Sequence, residues 1–549
     1  MTGGRVAAAS LSQSRTVYLL QPARWARKPR GTDRRIGWTM YEASRQEVPP
    51  GVDPETGQDP GGGAGDRLLG APAGVVETHV SVLFFMGDRV YKLRKPVAFD
   101  FLDFRDRMVR QSDCHREVAL NRRLAPDVYI GVADIAMDGT AVDHMVVMRR
   151  MPPERRLGLL AREGADLGGS LRQTAKKLAN FHSRAARSSE VSSVATGAAL
   201  RAGWESNFVE TQRFVGTILD ADTETEIHQL ADRWIAGREP LLRQRIASGC
   251  VCDGHGDLQA EDIFCLDDGV RILDCVEFSD RLRYGDVCAD VAFLVMDLER
   301  LGRPEAAIQF LADYEEYAGD SFPDSLVHHY CAARAYIRAK VSCLRAAQGV
   351  ADAEIEARQL QALALDHLRR SRVTMVVVGG LPGSGKSTLA AGLGTAREWA
   401  VLRSDDIRWE MGRTEAEQEA RGYLMARYSP THTATVYKEL LRRAERSVEH
   451  GISVILDASW IDARWRDDVR ALARRTSSDL VEFCCEAPAD EAEIRILRRL
   501  NEHGDVSEAT PAVRSAMEES MDPWPAATVI RTSDRTPEET LAEAMAHLD

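Results

Sequence analysis

The stretch GGLPGSGKST, residues 379–388, separates a continuous apolar run from an amphipathic one. The letters from Gly380 to Ser387 match the pattern G-x-x-x-x-G-K-[ST] in full. An apolar strand precedes them and a helix follows, which is the setting that this pattern requires. Glycines let backbone N–H groups curl around phosphate oxygens, and a helix N-terminus attracts the same anion. The stretch therefore predicts a phosphate-binding loop that opens a βα unit.

The residues of this loop have separate expected roles. Lys386 is expected to reach the β and γ phosphates of a nucleotide, and the Ser387 hydroxyl to bind Mg²⁺. We therefore predict ATP and Mg²⁺ as cofactors. The other residues predicted to contact the phosphates are Gly380, Gly383, Ser384, Gly385 and Thr388.

Two apolar stretches further along, at 453–459 and 480–487, predict more parallel strands in the same sheet. Asp457 follows the apolar letters SVIL and closes the first of these strands. A carboxylate at that place is expected to hold Mg²⁺ or its bound water.

A second carboxylate site follows the loop in VLRSDDIR, residues 401–408, at the carboxyl edge of the predicted sheet, where α/β domains bind ligands. This segment resembles the acceptor-side motif of small P-loop kinases, particularly polynucleotide-kinase-like and zeta-toxin-like enzymes. The resemblance implies that Asp405 takes the proton of the acceptor hydroxyl and that Arg408 holds the acceptor. The alternative is that Asp405 and Asp406 cap the next helix.

Arg495 and Arg499 lie one helical turn apart in EIRILRRL and share one helix face. In the enzymes that the segment 401–408 resembles, a lid helix carries arginines that neutralise the transferred phosphate. The alternative is an ordinary solvated basic face.

A different set of acids occurs earlier, around DGHGDLQAEDIF, residues 253–264. Asp257 and Asp262 lie within it, and Asp274 follows at the end of an apolar strand. The letters IFCLDDGVRILDCVEF predict a hairpin turning around Asp268-Gly269. Upstream, RVYKL puts Lys92 on a strand and CHREVALNRRL puts Glu117 on a helix.

This order of elements resembles the catalytic core of the aminoglycoside phosphotransferase family, relatives of the protein kinases. The resemblance implies that Asp257 orients or deprotonates the acceptor hydroxyl and that Asp262 and Asp274 bind Mg²⁺. It also implies that Lys92, oriented by Glu117, holds the α and β phosphates of ATP.

Other positions have supporting roles in that resemblance. His255 and Asp290 are expected to brace the loop by hydrogen bonds, and VVMRRMP, residues 146–152, to link two kinase lobes. The sequence departs from the family pattern at Asp262, where an asparagine is expected, and no G-x-G-x-x-G precedes Lys92.

Composition limits the class of protein. The chain has 549 residues, a net charge of −13 and a pI near 5.6, which oppose binding to nucleic acid or to an anionic membrane. No apolar run approaches the roughly 20 residues that span a bilayer. The ten cysteines are scattered and predict reduced thiols in a cytoplasmic protein.

We predict three regions. Residues 1–73 form a disordered basic tail and a Gly/Pro-rich linker, with Met40 as the preferred start; a transit peptide would look similar. Residues 74–360 form an α+β, two-lobed protein-kinase-like domain. Residues 372–549 form an α/β P-loop kinase domain with a mainly parallel sheet. This tandem resembles bacterial fusions of an aminoglycoside phosphotransferase with an AAA-type ATP-binding domain.

The combined prediction is a bifunctional ATP-dependent phosphotransferase that acts on hydroxyl groups of small molecules. One alternative is that only the P-loop half is catalytic and the kinase-like half is a docking module. Another is an ATP-sensing regulatory protein. Arg334, Arg338 and Lys340 form either an anion-recognition face or a salt-bridged helix surface.

Overall fold

The computed structural model describes most of the chain, in two compact units, residues 1–151 and 152–549. The division falls within the segment 146–152, which we predicted as the link between two kinase lobes. The described residues are 7–11, 17–20, 74–78, 80–99, 102–138, 140–415, 430–502 and 510–548.

The first unit is an antiparallel sheet with one helix among its described residues. Its elements are β1 (Ala7–Leu11), β2 (Val17–Leu20), β3 (Gly74–Glu77), β4 (Ser81–Met86), β5 (Arg89–Arg94), β6 (Ala98–Phe99), β7 (Leu102–Asp103), α1 (Arg107–Asn121), β8 (Tyr129–Met137) and β9 (Thr140–Arg149). Seven of the strands form one sheet in the order β2-β1-β8-β9-β5-β4-β3, and β6 pairs with β7. The predicted hairpin across Gly87-Asp88 is confirmed, because β4 and β5 pair around it.

The amino-terminal region differs from the prediction of a tail without regular structure. Strands β1 and β2 pair with each other, and β1 also pairs with β8. Their letters, AAASL and VYLL, are mostly apolar, and a free edge of β8 offers backbone groups for pairing. The rest of residues 1–73 lies outside the described residues.

The second unit begins with a helical region. Its helices are α2 (Leu157–Arg162), α3 (Gly168–Arg184), α4 (Ser189–Ser193), α5 (Gly197–Thr211), α6 (Ala221–Gly237), α7 (Glu239–Ala247), α8 (Asp280–Arg283), α9 (Val287–Arg300), α10 (Pro304–Ala318), α11 (Asp324–Ala347) and α12 (Ala353–Arg370), and its strands are β10 (Val251–Asp253), β11 (Ile263–Leu266), β12 (Gly269–Ile272) and β13 (Tyr284–Asp286). Helix α9 is apolar on nearly every side and is buried from Val287 to Leu298. Strands β11 and β12 form the predicted hairpin, with Asp267 and Asp268 in the turn.

The remainder of the second unit is an α/β domain. Its elements are β14 (Thr374–Gly379), α13 (Lys386–Arg397), β15 (Ala400–Arg403), α14 (Ser404–Glu415), α15 (Pro430–Glu449), β16 (Val454–Asp457), α16 (Ala463–Arg475), β17 (Asp479–Glu486), α17 (Ala489–Glu502), α18 (Pro511–Glu519), β18 (Thr528–Arg531) and α19 (Pro537–Met545). The five strands are parallel, in the order β15-β16-β14-β17-β18. The predicted parallel sheet is confirmed, and its carboxyl ends meet at one edge.

The helical region and the parallel-sheet domain contact each other through buried polar groups. Arg238, after α6, is buried and donates a hydrogen bond to the carbonyl oxygen of Thr476 at 2.9 Å. A side chain at Gly237 would meet the same oxygen at 2.1 Å, so glycine is required for this close approach. Ser325 donates to the Gly451 carbonyl oxygen at 2.8 Å.

None of the helices that the structure describes is both long and apolar enough to cross a membrane. All ten cysteines lie in described ranges and carry free thiols, as the scattered spacing predicted. Nine are buried, and burial raises the pKa of Cys252 and of Cys485 to about 12.

Candidate active sites

The first unit holds a buried ion-pair network on β5 and α1. The Lys92 Nζ atom lies 2.8 Å from one carboxylate oxygen of Glu117, so the predicted pair is present. The other oxygen of Glu117 accepts from Arg94 at 2.8 Å, and Arg94 also contacts Asp113 at 2.7 Å. Lys92 and Arg94 point to one face because strand side chains alternate. Glu117 is therefore held rigidly, and it orients Lys92.

The loop containing His255 is braced from α9, as predicted. Asp290 accepts hydrogen bonds from the backbone N–H of His255 at 2.6 Å and of Gly256 at 2.9 Å, and it lies 3.2 Å from His182 Nε2. Desolvation opposes ionisation of Asp290, but the hydrogen bonds and charge of His182 and His255 hold its pKa well below the usual range. Burial lowers the pKa of His255, whose Nε2 lies 3.0 Å from the Leu273 carbonyl oxygen.

This brace positions three carboxylates. Desolvation raises the pKa of Asp262, and the nearby charges of Asp274 and Asp257 raise it further. Desolvation also raises the pKa of Asp257, whereas Arg338 and Arg334 lower it. Three acids that repel one another need a cation to be ionised together. Carboxylate oxygens are ligands that Mg²⁺ prefers, so the chemistry of these acids fits the expected ion, but their oxygens do not all lie within 4.8 Å of one another in this structure.

Asp274 has a backbone φ of 61°, a left-handed conformation that non-glycine residues rarely adopt. Such strained residues cluster at functional sites because the surrounding structure must hold them.

The phosphate-binding loop at 380–388 connects β14 to α13, and its glycines are required by backbone geometry. Gly383 has a φ of 80°, and a Cβ atom there would lie 2.5 Å from the Ala492 carbonyl oxygen. Gly385 has a φ of 84° and ends the loop where α13 begins at Lys386. The loop therefore places its backbone N–H groups beside the N-terminus of α13.

Asp457 ends β16 beside this loop and is buried. Desolvation raises its pKa, while the Lys386 ammonium and the Ser387 hydroxyl lower it. One oxygen lies 3.2 Å from Arg403 Nε, and the other has no hydrogen-bond partner in the described part of the chain. An orphaned carboxylate oxygen next to Ser387 fits a site for Mg²⁺ or its water.

The predicted acceptor-side residues lie on α14. Asp405 and Arg408 are one turn apart, with 3.9 Å between the carboxylate and Arg408 Nε. Asp405 also raises the pKa of Asp457, so the two carboxylates lie close enough to interact. The structure thus brings Lys386, Ser387, Asp405 and Asp457 together at the carboxyl edge of the sheet.

Arg495 makes contacts that the sequence did not predict. Its guanidinium donates to the Gly383 carbonyl oxygen at 3.3 Å and to the Thr532 hydroxyl and carbonyl oxygens at 2.9 and 2.8 Å. These hydrogen bonds therefore stabilise the phosphate-binding loop. Arg499 follows one turn later on α17, and a role for either arginine at the phosphate stays a prediction.

Two further residues that support the loop were missed. Arg514 donates to the Pro382 carbonyl oxygen at 3.0 Å, and Thr532 donates to the Ser384 carbonyl oxygen at 2.9 Å. Both are more than 100 positions from the loop, and no local signal marks them. A cavity of about 570 Å³ opens beside the loop, within the usual range of roughly 300–1,000 Å³ for ligand pockets. Its lining includes Gly380, Leu381, Ser384, Glu486, Pro488, Arg514, Arg531 and Ser533.

Comparison with known proteins assigns a family to each of the two regions. Residues 89–323 match the phosphotransferase enzyme family, and residues 375–524 match the AAA domain family. The chain is a fusion of an aminoglycoside-phosphotransferase-like domain with a P-loop kinase domain. It is a kinase, and its two domains imply the use of ATP.

Similarity also extends over most of the chain. Uncharacterized proteins of Mycobacterium tuberculosis (strain H37Rv) and Mycobacterium bovis are each 39% identical over 452 residues, covering 82% of this chain and 90% of theirs. The chain belongs to the same family as these mycobacterial proteins.

Solved structures are more distant. A choline/ethanolamine kinase family protein from Mesorhizobium loti is 14% identical, covering 56% of this chain and 96% of that chain, with a TM-score of 0.37. A sugar kinase from Janibacter sp. HTCC2649 is 18% identical, covering 32% of this chain and 95% of that chain, with a TM-score of 0.25.

Proposed function

We propose that both domains are catalytic, and that each transfers the γ-phosphoryl group of ATP to a hydroxyl group of a small-molecule acceptor. The observation that carries this proposal is the set of mutually repelling carboxylates Asp257, Asp262 and Asp274 on a braced loop. Holding three acids close together costs free energy, and a docking module has no need of such a set. A metal-dependent transfer centre needs acids to bind the metal ion.

In the kinase-like domain, Asp257 accepts a hydrogen bond from Gln259 at 2.9 Å, which fixes the carboxylate. The acceptor hydroxyl donates its proton to Asp257 as its oxygen forms a bond to the γ-phosphorus. The bond from that phosphorus to the β–γ bridging oxygen breaks, and ADP leaves. Lys92 holds the phosphates, and Asp262 and Asp274 are the residues that would bind Mg²⁺, whose charge would offset that of the phosphates.

In the P-loop domain the same reaction uses different parts. Backbone N–H groups of the loop and Lys386 hold the phosphates, Ser387 and Asp457 are the groups that would bind the metal, and Asp405 takes the proton of the acceptor hydroxyl. Arg408 would hold the acceptor. The catalysis at both centres is positional and electrostatic.

The test is ATP-dependent phosphorylation of a panel of hydroxyl compounds, with products identified by mass spectrometry. We would compare the wild-type chain with Lys386→Ala, Asp257→Ala and the double variant. We expect each single variant to lose a different product. If Asp257→Ala keeps every product while Lys386→Ala loses all of them, the kinase-like domain is a docking module. If no compound is phosphorylated although ATP binds, the chain acts as a sensor.

A further inference from the structure

A small cavity of about 220 Å³ adjoins the His255 loop in the second unit. It lies between α5, α11 and the segment 281–289, and its aromatic lining includes Trp204, Tyr284 and Tyr330. One lining residue, Leu282, approaches the loop closely, because a Cβ atom at Gly256 would lie 2.7 Å from the Leu282 carbonyl oxygen. Arg334 lines the cavity and also lowers the pKa of Asp257, the proposed base, through its charge.

The cavity wall carries buried polar groups without partners. The Tyr330 hydroxyl and the His329 Nδ1 atom are both buried, and neither has a hydrogen-bond partner among the described residues. Burial lowers the pKa of His329 to about 3, so its ring is neutral at pH 7. Its Nε2 atom accepts from the Trp204 indole at 3.5 Å, which leaves the proton on Nδ1. Both groups are therefore buried hydrogen-bond donors that no described residue satisfies.

The charged groups at the cavity are mainly cationic. Arg281 and Arg334 line it, and Arg338 follows Arg334 by one turn of α11. None of the three forms an ion pair with a residue in the ranges that the structure describes. Arg334 donates only to the Ala289 carbonyl oxygen, at 3.2 Å, and its guanidinium lies 5.0 Å from the Phe293 ring centre.

Two charged residues near these arginines have ion-pair partners of their own. Lys340, on the same helix, pairs with Glu210 at 3.1 Å. For this one residue of the predicted Arg334, Arg338 and Lys340 cluster, the salt-bridged interpretation is therefore confirmed. The acid among the lining residues, Asp286, pairs with Arg245 at 2.7 Å. Arg334 and Arg338 therefore remain available to a ligand, and both act on Asp257.

From this arrangement we infer that the kinase-like centre takes an anionic acceptor, a small molecule that carries a hydroxyl group together with a carboxylate or a phosphate. The inference rests on the proposed function, whose transfer step is unchanged. The arginines bind the anionic group, the Tyr330 and His329 donors bind its oxygens, and the hydroxyl reaches Asp257. A cationic acceptor would be repelled by Arg281, Arg334 and Arg338. The cavity volume suits a molecule below drug size.

The test uses three matched sugars with net charges of −1, 0 and +1: D-glucuronate, D-glucose and D-glucosamine, with D-glucose 6-phosphate as a second anion. Binding is measured by calorimetry on the full chain, and transfer by mass spectrometry in the Lys386→Ala background. We expect an anion to bind at least about tenfold tighter than glucose, as one charge-assisted hydrogen bond provides.

Variants connect that preference to the cavity. The double variant Arg334→Gln, Arg338→Gln is expected to lose the anion preference, and Arg338→Glu alone to shift it toward glucosamine. Arg345→Gln is the matched control, because this arginine lies on the same helix and pairs with Glu356 at 2.8 Å. Circular dichroism of each variant checks that it is folded.

The outcomes separate the two proposals. Anion binding that the double variant loses, without any phosphorylated sugar, supports the inference and counts against transfer by this domain. Phosphorylation of glucose or glucosamine in preference to both anions supports transfer and overturns the inference. Equal binding of all four sugars, or binding of none, also overturns it.

Discussion

In the kinase-like centre a buried carboxylate, Asp290, holds the loop that carries Asp257, whereas in the P-loop centre the phosphate site is held by backbone conformation. Asp290 binds two backbone N–H groups and contacts His182. The other loop depends on glycines such as Gly383, with a φ of 80°. We propose that both arrangements serve a phosphate-transfer site, the first held by an ionised side chain and the second by left-handed glycines.

This difference predicts that the two loops are destabilised by different changes. A loop held by an ionised side chain is sensitive to loss of that charge and to acid. A loop held by left-handed glycines is sensitive to any added Cβ atom and insensitive to mild acid. Among the following substitutions, Asp290→Asn and Gly383→Ala test these two cases directly.

The largest effect is expected for the proposed bases. Asp257→Asn and Asp405→Asn should each lower kcat of their own centre by roughly 10²–10⁴-fold, because general-base catalysis contributes that factor. ATP affinity at either centre should stay within about twofold, since neither residue is predicted to hold the nucleotide. Steady-state kinetics and calorimetry with a non-hydrolysable ATP analogue measure both. A fall in ATP affinity as large as the fall in kcat would show a binding role instead.

Asp290→Asn should destabilise the kinase-like region by about 1.5–3 kcal/mol, the range for hydrogen bonds to a charged group. The depressed pKa of Asp290 means that its stabilisation is present above the unfolded value of about 3.9 and is lost as pH falls toward the folded value. Thermal unfolding of the wild type should therefore show this loss below about pH 4.

The variant should lack that part of the pH dependence, and nucleotide binding at the P-loop should be unaffected. Asp313→Asn is a matched control, because this buried acid pairs with Arg172 at 2.8 Å and does not contact the loop. If Asp290→Asn and the wild type lose stability equally below pH 4, the brace does not depend on ionisation.

Gly383→Ala should weaken ATP binding at the P-loop centre by at least about tenfold. A left-handed alanine costs roughly 1–2 kcal/mol, and the Cβ atom would also meet the Ala492 carbonyl oxygen at 2.5 Å. Calorimetry in the Lys92→Ala background, which lacks the lysine proposed to hold ATP at the kinase-like centre, isolates this site. Gly169→Ala is the control, because nothing lies within 4 Å of its Cβ position. Unchanged ATP affinity in Gly383→Ala would mean that the loop adapts to the added Cβ atom without losing binding free energy.

The smallest effect is expected for Arg495→Met. If Arg495 only supports the loop through Gly383 and Thr532, ATP affinity should fall by about fivefold. This factor corresponds to the loss of one hydrogen bond that contributes about 1 kcal/mol. If it neutralises the transferred phosphate, kcat should fall by about 10²–10³-fold. Comparing KM for ATP with kcat distinguishes these roles. The control variant is Arg535→Met, because Arg535 pairs with Glu543 instead of with the loop.

The sequence predicted the elements whose signals are local. The strand, glycine loop and helix at 374–397 follow from one continuous pattern, and so does the hairpin across Gly87-Asp88. The Lys92–Glu117 pair was predicted by resemblance, and its two residues are only 25 positions apart.

Other features had no local signal. Arg94 and Asp113 extend the Lys92 network, and Arg514 and Thr532 support the phosphate loop from 132 and 148 positions away. The strands β1 and β2 were missed because pairing with β8 depends on a free sheet edge, which short apolar segments do not specify by themselves.

The sequence by itself predicted two kinase-type domains in this chain, because glycine positions, residue order and the identity of acids and lysines are local properties. The tertiary structure decided which carboxylates repel one another, which arginines form no ion pair with a described residue, and which of these arginines line a cavity. Those properties depend on contacts between residues distant in sequence, and packing alone sets their distances and burial.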